Sequence, residues 1–146
     1  MKLTMTNEIK FPPWFNILTG LLVISNLIIF GGATLFNPDL TFPNAGQGAV
    51  FPIQFFAVRH VAFSIPLLHG LIRRDIKTLT VMYTIFIIMS VLDIALLGIF
   101  GYNIPILGLI PAIGNLPTYG KVLAGIVVFL LPISLALRHL RGYKEK

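Results

Sequence analysis

VFPIQFFAVRHVAFSIPLLHGLI (Val50–Ile72) and KTLTVMYTIFIIMSVLDIALLGIF (Lys77–Phe100), joined by Arg73-Arg74-Asp75-Ile76, decide how this chain is built. Each run exceeds the roughly 20 apolar residues that a helix needs to cross a bilayer core. A link that short forces the two helices antiparallel, so the stretch predicts a transmembrane hairpin. Each arm carries one charge within its apolar run: Arg59 in the first and Asp93 in the second.

Working outward, the rest of the chain has the same character. Of 146 residues, 56% are hydrophobic and only 11% are charged, against roughly a quarter charged in ordinary soluble domains. A first span is expected from about Trp14 to Phe36, opened by Pro12-Pro13, since proline is tolerated in a first helical turn. Trp14 and Phe15 stand where aromatic residues anchor a helix at the membrane interface. The apolar run is longer than the usual signal-peptide core, and no clean small-x-small cleavage site follows it, so a retained span is expected. A loop rich in turn formers follows, Asn37-Pro38-Asp39 and then Phe42-Pro43-Asn44-Ala45-Gly46. Pro66 lies within the second run, where its missing N–H is expected to kink the helix. A fourth span is expected from about Lys121 to Leu140.

Between the third and fourth spans, residues 101–120 form an apolar, uncharged connector. It contains three hexapeptides, Asn-Ile-Pro-Ile-Leu-Gly (103–108), Leu-Ile-Pro-Ala-Ile-Gly (109–114) and Asn-Leu-Pro-Thr-Tyr-Gly (115–120). Proline to open a helical turn and glycine to close it would suit a single turn each time. Such a loop is either a lid lying on the membrane interface or a Gly/Pro-biased connector with an accidental period.

Of the 11 Lys and Arg residues, nine stand at the N-terminus, the second link or the C-terminus; the others are Arg59 and Lys121. Positive residues mark cytoplasmic flanks. The expected architecture is therefore an all-α, integral membrane four-helix bundle with both termini cytoplasmic, in a bacterial cytoplasmic membrane. The net charge of +6 is accounted for by those flanks. No basic stripe interleaved with aromatics points to nucleic acid.

Orientation allows a comparison of depth. Arg59 lies nine residues below Val50 and Asp93 seven below Phe100, or about 14 Å and 10 Å from the same membrane face at 1.5 Å per residue. Either charge alone inside the bilayer costs at least ~2.5–3.5 kcal/mol. The economical arrangement is an Arg59–Asp93 ion pair facing the bundle interior. It would either line a polar pocket, with His60, Asn26 and Ser90 at compatible positions, or simply pin two helices together. His60, about 100° around the helix from Arg59, reads as a proton-transfer candidate or as a buried, hydrogen-bonded neutral ring.

His69 and His139 stand near the cytoplasmic ends of spans two and four. Two facing imidazoles could ligate haem, with Arg73 or Arg138 meeting its propionates, although interfacial histidines beside basic flanks also occur without that role. Two histidines with no carboxylate or thiolate beside them make a poor zinc site, so no metal is assigned. With no cysteine, thiolate metal sites, Fe–S clusters, disulfides and catalytic thiols are excluded. No P-loop, H-E-x-x-H or G-x-S-x-G motif appears.

The hairpin resembles the small four-span DoxX-like membrane families, most of which have no assigned function. The positions that carry the resemblance are Pro38, Arg59 in FFAVRHVAFS, the Arg73-Arg74 link and Asp93 in SVLDIALL. It covers roughly Leu35 to Gly98. The chain departs from that pattern at His60, where an acid often follows the arginine, and at Ser64, where glycine is usual. The resemblance implies a four-helix membrane bundle and little about reaction type.

Three functions are compatible with these residues. One is an accessory or binding protein holding a lipid-like ligand or a partner membrane protein at Arg59 and Asp93. Another is a membrane enzyme acting on a lipid-soluble substrate, with His60 or Asp93 moving a proton. The third is a proton-coupled transporter titrating Asp93, for which four spans would require a homo-oligomer.

Overall fold

The computed structural model describes residues 10–37, 50–100 and 116–144. Among them, four helices are long and apolar enough to span a membrane. Helix α1 runs Pro13–Phe36, α2 Val50–Arg73 and α3 Ile76–Phe100. Helix α4 starts as Thr118–Gly125, passes through a π-helical turn at Ile126–Leu130 and continues as Leu131–Lys144. The elements among the described residues are all helical, and the chain is an integral membrane protein.

Local chemistry explains the helix ends. Pro12 caps α1 in an extended conformation (φ −64°, ψ 152°), and Pro13 opens the first turn without leaving an N–H unbonded. Pro117 does the same for α4 (φ −63°, ψ 163°). That helix consequently begins at Thr118, three residues before the onset expected at Lys121, and it absorbs the end of the third hexapeptide instead of stopping at Gly120. The first two hexapeptides lie outside the described residues, as does most of the loop after α1. Helix α2 continues through Pro66 as one element.

The α2–α3 link is a tight helix-to-helix reversal. Arg74 adopts φ 55°, a left-handed conformation that costs an L-residue roughly 1–2 kcal/mol. It is retained because the turn satisfies the last carbonyls of α2: the Arg74 N–H donates to Leu71 O (3.3 Å) and the Asp75 N–H to Gly70 O (2.9 Å), the paired bonds of a Schellman motif. Asp75 then caps α3, accepting from Lys77 N (2.9 Å), Thr78 N (3.3 Å) and Thr78 Oγ1 (2.6 Å). These donors, the Thr78 hydroxyl foremost, hold the Asp75 carboxyl below the usual carboxylate range.

Consecutive helices pack side by side, α1 on α2, α2 on α3 and α3 on α4. The buried positions of α2, Ile53, Ala57, His60, Ser64 and Leu67, recur at spacings of three and four, as a helix burying one stripe requires. The core gathers toward one end of the bundle, where Phe15, Val23, Leu67, Leu79, Met82, Tyr83, Phe86, Ile133, Ala136 and Leu140 pack together. The start of α1, the end of α4 and the α2–α3 link lie at that end. The Tyr143 hydroxyl donates to Lys10 O (3.1 Å), Phe11 meets Tyr143 edge-on, and Gly70 abuts Leu79.

One polar contact crosses this core. Thr19 Oγ1 donates to Phe15 O (2.7 Å), which uses its single proton, so the Tyr83 hydroxyl 2.7 Å away must be the donor to Thr19. Both side chains are wholly buried. The bond ties α1 to α3 across the bundle.

Helix α1 changes register midway, becoming π-helical over Ser25–Ala33. Polar side chains serve the carbonyls around this segment: Asn26 Nδ2 and Ser25 Oγ both donate to Leu22 O (2.7 and 3.1 Å), and Thr34 Oγ1 donates to Ile29 O (3.3 Å). In an apolar medium such carbonyls need partners, and nearby hydroxyl and amide groups are the usual source.

Candidate functional site at Arg59 and Asp93

The α2–α3 hairpin brings Arg59 and Asp93 together. Arg59 Nη2 lies 3.8 Å from Asp93 Oδ1, within Coulombic reach but longer than a hydrogen bond. The two side chains retain 31% and 33% of their surface. They sit beyond the packed core, at the level where α3 no longer contributes fully buried residues. Both side chains are thus partly exposed, neither fully buried nor fully open.

Phe56 organises the surroundings. It precedes Arg59 by one helical turn, and the guanidinium carbon lies 5.2 Å from its ring centre, a cation–π distance. The same ring stacks on His60 at 4.2 Å, one turn on along the other side of the helix. His60 is buried, with Nδ1 2.9 Å from Phe56 O, an acceptor to which the ring can only donate. Its other neighbour is Phe30 of α1, 5.0 Å away. A row of contacts therefore runs from α1 through α2 to α3: Phe30, His60, Phe56, Arg59, Asp93.

Arg59 is under-satisfied in this row. Its Nε is buried with no hydrogen-bond partner among the described residues. A guanidinium offers five N–H donors in a planar fork, and here its one ionic contact is long. Buried donors left unpaired are costly, so the arrangement has capacity for an additional acceptor.

Asn26 is buried, but its amide donates to Leu22 O within its own helix. Ser90 is half-buried one turn before Asp93 and makes no hydrogen bond to the pair among the described residues. His60 and Arg59 share the Phe56 ring. His69 is exposed on α2, whereas His139 is packed edge-on by Trp14 (5.1 Å) and Tyr143 (5.1 Å) and against Phe15 (5.8 Å). These surroundings make His139 part of an aromatic clasp joining the ends of α1 and α4. Among the described residues, no group of three His, Asp or Glu side chains could hold a metal.

Sequence reasoning missed two features of the bundle. The Thr19–Tyr83 bond was detectable in principle, since Thr19 lies six residues into α1 and Tyr83 seven into α3 from the same end, about 9 and 10 Å deep. The role of Phe56 as a shared platform follows from its i, i+3 and i, i+4 spacing to Arg59 and His60. No family model, curated protein or solved structure matches this chain.

Proposed function

We propose that the chain is a membrane binding protein in which Arg59 and Asp93 hold the polar head of a lipid-like or quinone-like amphipathic molecule. The observation that carries this reading is the incomplete satisfaction of Arg59. A pair serving only as a helix pin would be expected to be tight, hydrogen-bonded and enclosed. This one is 3.8 Å apart, about one-third exposed on both sides and leaves a buried Nε unpartnered. An acceptor oxygen meeting the exposed edge of the guanidinium, on the side away from Asp93, would add to its partners while its apolar remainder lay among the surrounding helices. Intramembrane charges are commonly retained for such roles.

The same reading places both termini in the cytoplasm. Its support is the gathering of Lys10, Arg73, Arg74, Lys77, Arg138 and Arg141 at the end of the bundle where α1 starts and α4 ends, with cytoplasmic flanks favouring Lys and Arg. Arg59 and Asp93 then lie toward the outer leaflet. The likeness to DoxX-like families belongs to this proposal as well, since the residues that carry it, Arg59, Arg73-Arg74 and Asp93, frame the same hairpin. The contacts of His60 with Phe30, Phe56 and the Phe56 carbonyl favour a positioning role for that ring over proton transfer.

The test is native mass spectrometry of protein purified in mild detergent. Arg59→Ala and Asp93→Ala are each expected to abolish a co-purifying amphiphile seen with the native chain. Unchanged retention in both variants, accompanied by lowered thermal stability, would leave the pair as a pin and overturn the proposal.

A further inference from the structure

A second polar feature lies at the other end of the bundle, in a groove of about 430 Å³ between α3 and α4. Its lining is graded with depth. At the rim stand Arg141 and Arg138, two and five residues inside the span end at Tyr143, or about 3 and 8 Å deep at 1.5 Å per residue. Thr84 and Ser134 come next, eight residues past Ile76 and nine before Tyr143, about 12 and 14 Å deep. The apolar wall is Ile87, Ile88 and Leu137, with the two isoleucines reaching about 17–18 Å.

Both arginines are exposed, and neither meets a carboxylate among the described residues. Being three positions apart, they lie on one helical face and can converge on one anion. Thr84 donates its hydroxyl proton to Thr80 O (2.8 Å), leaving its lone pairs, while the Ser134 hydroxyl has no partner among the described residues. The groove thus offers, from the membrane edge inward, two guanidinium forks, two hydroxyls and a hydrocarbon wall.

We infer that this groove is a binding site for an anionic phospholipid, with the phosphate on Arg138 and Arg141, the ester region beside Thr84 and Ser134, and an acyl chain along Ile87 and Ile88. Arginine forks match phosphate oxygens bidentately, and basic pockets between helices at the membrane edge bind acidic headgroups. A soluble anion would use only the rim, and an uncharged lipid only the wall. The gradient from charge to hydrocarbon is what selects a phospholipid carrying net negative charge. Asp93 lies seventeen residues from Ile76, about 26 Å from this end, so the site is independent of the Arg59–Asp93 pair.

The experiment compares phosphatidylglycerol with phosphatidylcholine of the same acyl chains, titrated into detergent-purified full-length protein and read by native mass spectrometry. Phosphatidylglycerol should bind at least tenfold more tightly. Arg138→Gln/Arg141→Gln should remove that preference, whereas Arg73→Gln/Lys77→Gln, an equal change in net charge at the α2–α3 link, should retain it. Inorganic phosphate at matched concentration should fail to displace the lipid. An unaltered preference in Arg138→Gln/Arg141→Gln overturns the assignment, as does an equal loss in the link variant, which would mark general charge attraction. Displacement by inorganic phosphate would make the rim a simple anion site and equally refute the lipid. Both arginines are exposed, so unchanged thermal unfolding of the double variant is expected, and Ile88→Asn supplies an independent arm in which lipid affinity falls with the arginines intact.

Discussion

Gly31 is a position where α1 packs tightly against α2, and replacing it tests the packing of the bundle directly. A Cβ placed there would collide with Val61 Cγ2 on α2 and lie 2.8 Å from the Asn26 carbonyl oxygen. The carbonyl belongs to the π-helical backbone of α1, which brings the residue five positions back under Gly31. It cannot move without disturbing that turn. Val61 is no easier to displace, because a β-branched side chain in a helix has essentially one favoured χ1 rotamer. Helices α1 and α2 must therefore separate, and overpacking of this kind costs about 1–3 kcal/mol. Against this stands the gain from removing a glycine from a helix interior, about 0.5–1 kcal/mol.

Gly20 supplies the internal control. It lies in the same span with nothing within 4 Å of its built Cβ, so Gly20→Ala should show the helix gain alone. Gly31→Ala is thus expected to be less stable than Gly20→Ala by about 1–3 kcal/mol. The assay is reversible unfolding of both variants in mixed micelles, monitored by circular dichroism. Adding Val61→Ala to Gly31→Ala should recover part of the loss, as contacting sites couple in double-mutant cycles. Equal stability of the two glycine variants would refute the close approach of α1 and α2 at this level.

Two further outcomes follow from hydrogen bonds at the core end. Tyr83→Phe removes the donor to Thr19 while leaving Thr19 bonded to Phe15 O, so melting in detergent should fall by the equivalent of about 0.6 kcal/mol and by no more than ~1.7 kcal/mol. The Asp75 cap has a definite pH sign. Its carboxyl is held below the usual range in the folded chain, so its contribution is complete above the unfolded value near pH ~4 and is lost as pH falls through the lowered folded value. Amide-exchange protection at Lys77 and Thr78 should be flat at neutral pH and drop only in acid; a loss near neutrality would contradict the capping assignment.

The spans were legible because bilayer crossing demands long apolar runs, and nothing subtler than length and composition is needed to see them. The side-by-side packing of α2 and α3 was legible for a related reason: a four-residue link fixes antiparallel neighbours, and constant rise per residue converts position into depth. Thr19 and Tyr83 obey the same arithmetic, but neutral polar residues carry too small an insertion penalty to stand out from Asn16, Ser25 or Thr80. The π-helical segment of α1 leaves no periodic trace, so the bond from the Asn26 amide to Leu22 O was not legible in the sequence. Pro117 reads equally well as the middle of a short repeat or the cap of a long helix, and only the continuation of α4 distinguishes them. How far the charge pair is enclosed depends on where the core gathers, a property of all four helices that no single stretch encodes.

The central claim is that Arg59 and Asp93 bind something, beyond holding α2 to α3. The exchange variant Arg59→Asp/Asp93→Arg separates these roles most directly, because attraction between two charges survives their exchange while recognition of a ligand head does not. Native mass spectrometry and thermal melting should be recorded together for this variant and the native chain. A stability close to native with the co-purifying amphiphile lost is expected. An exchanged protein that retains the amphiphile at the native level would contradict it.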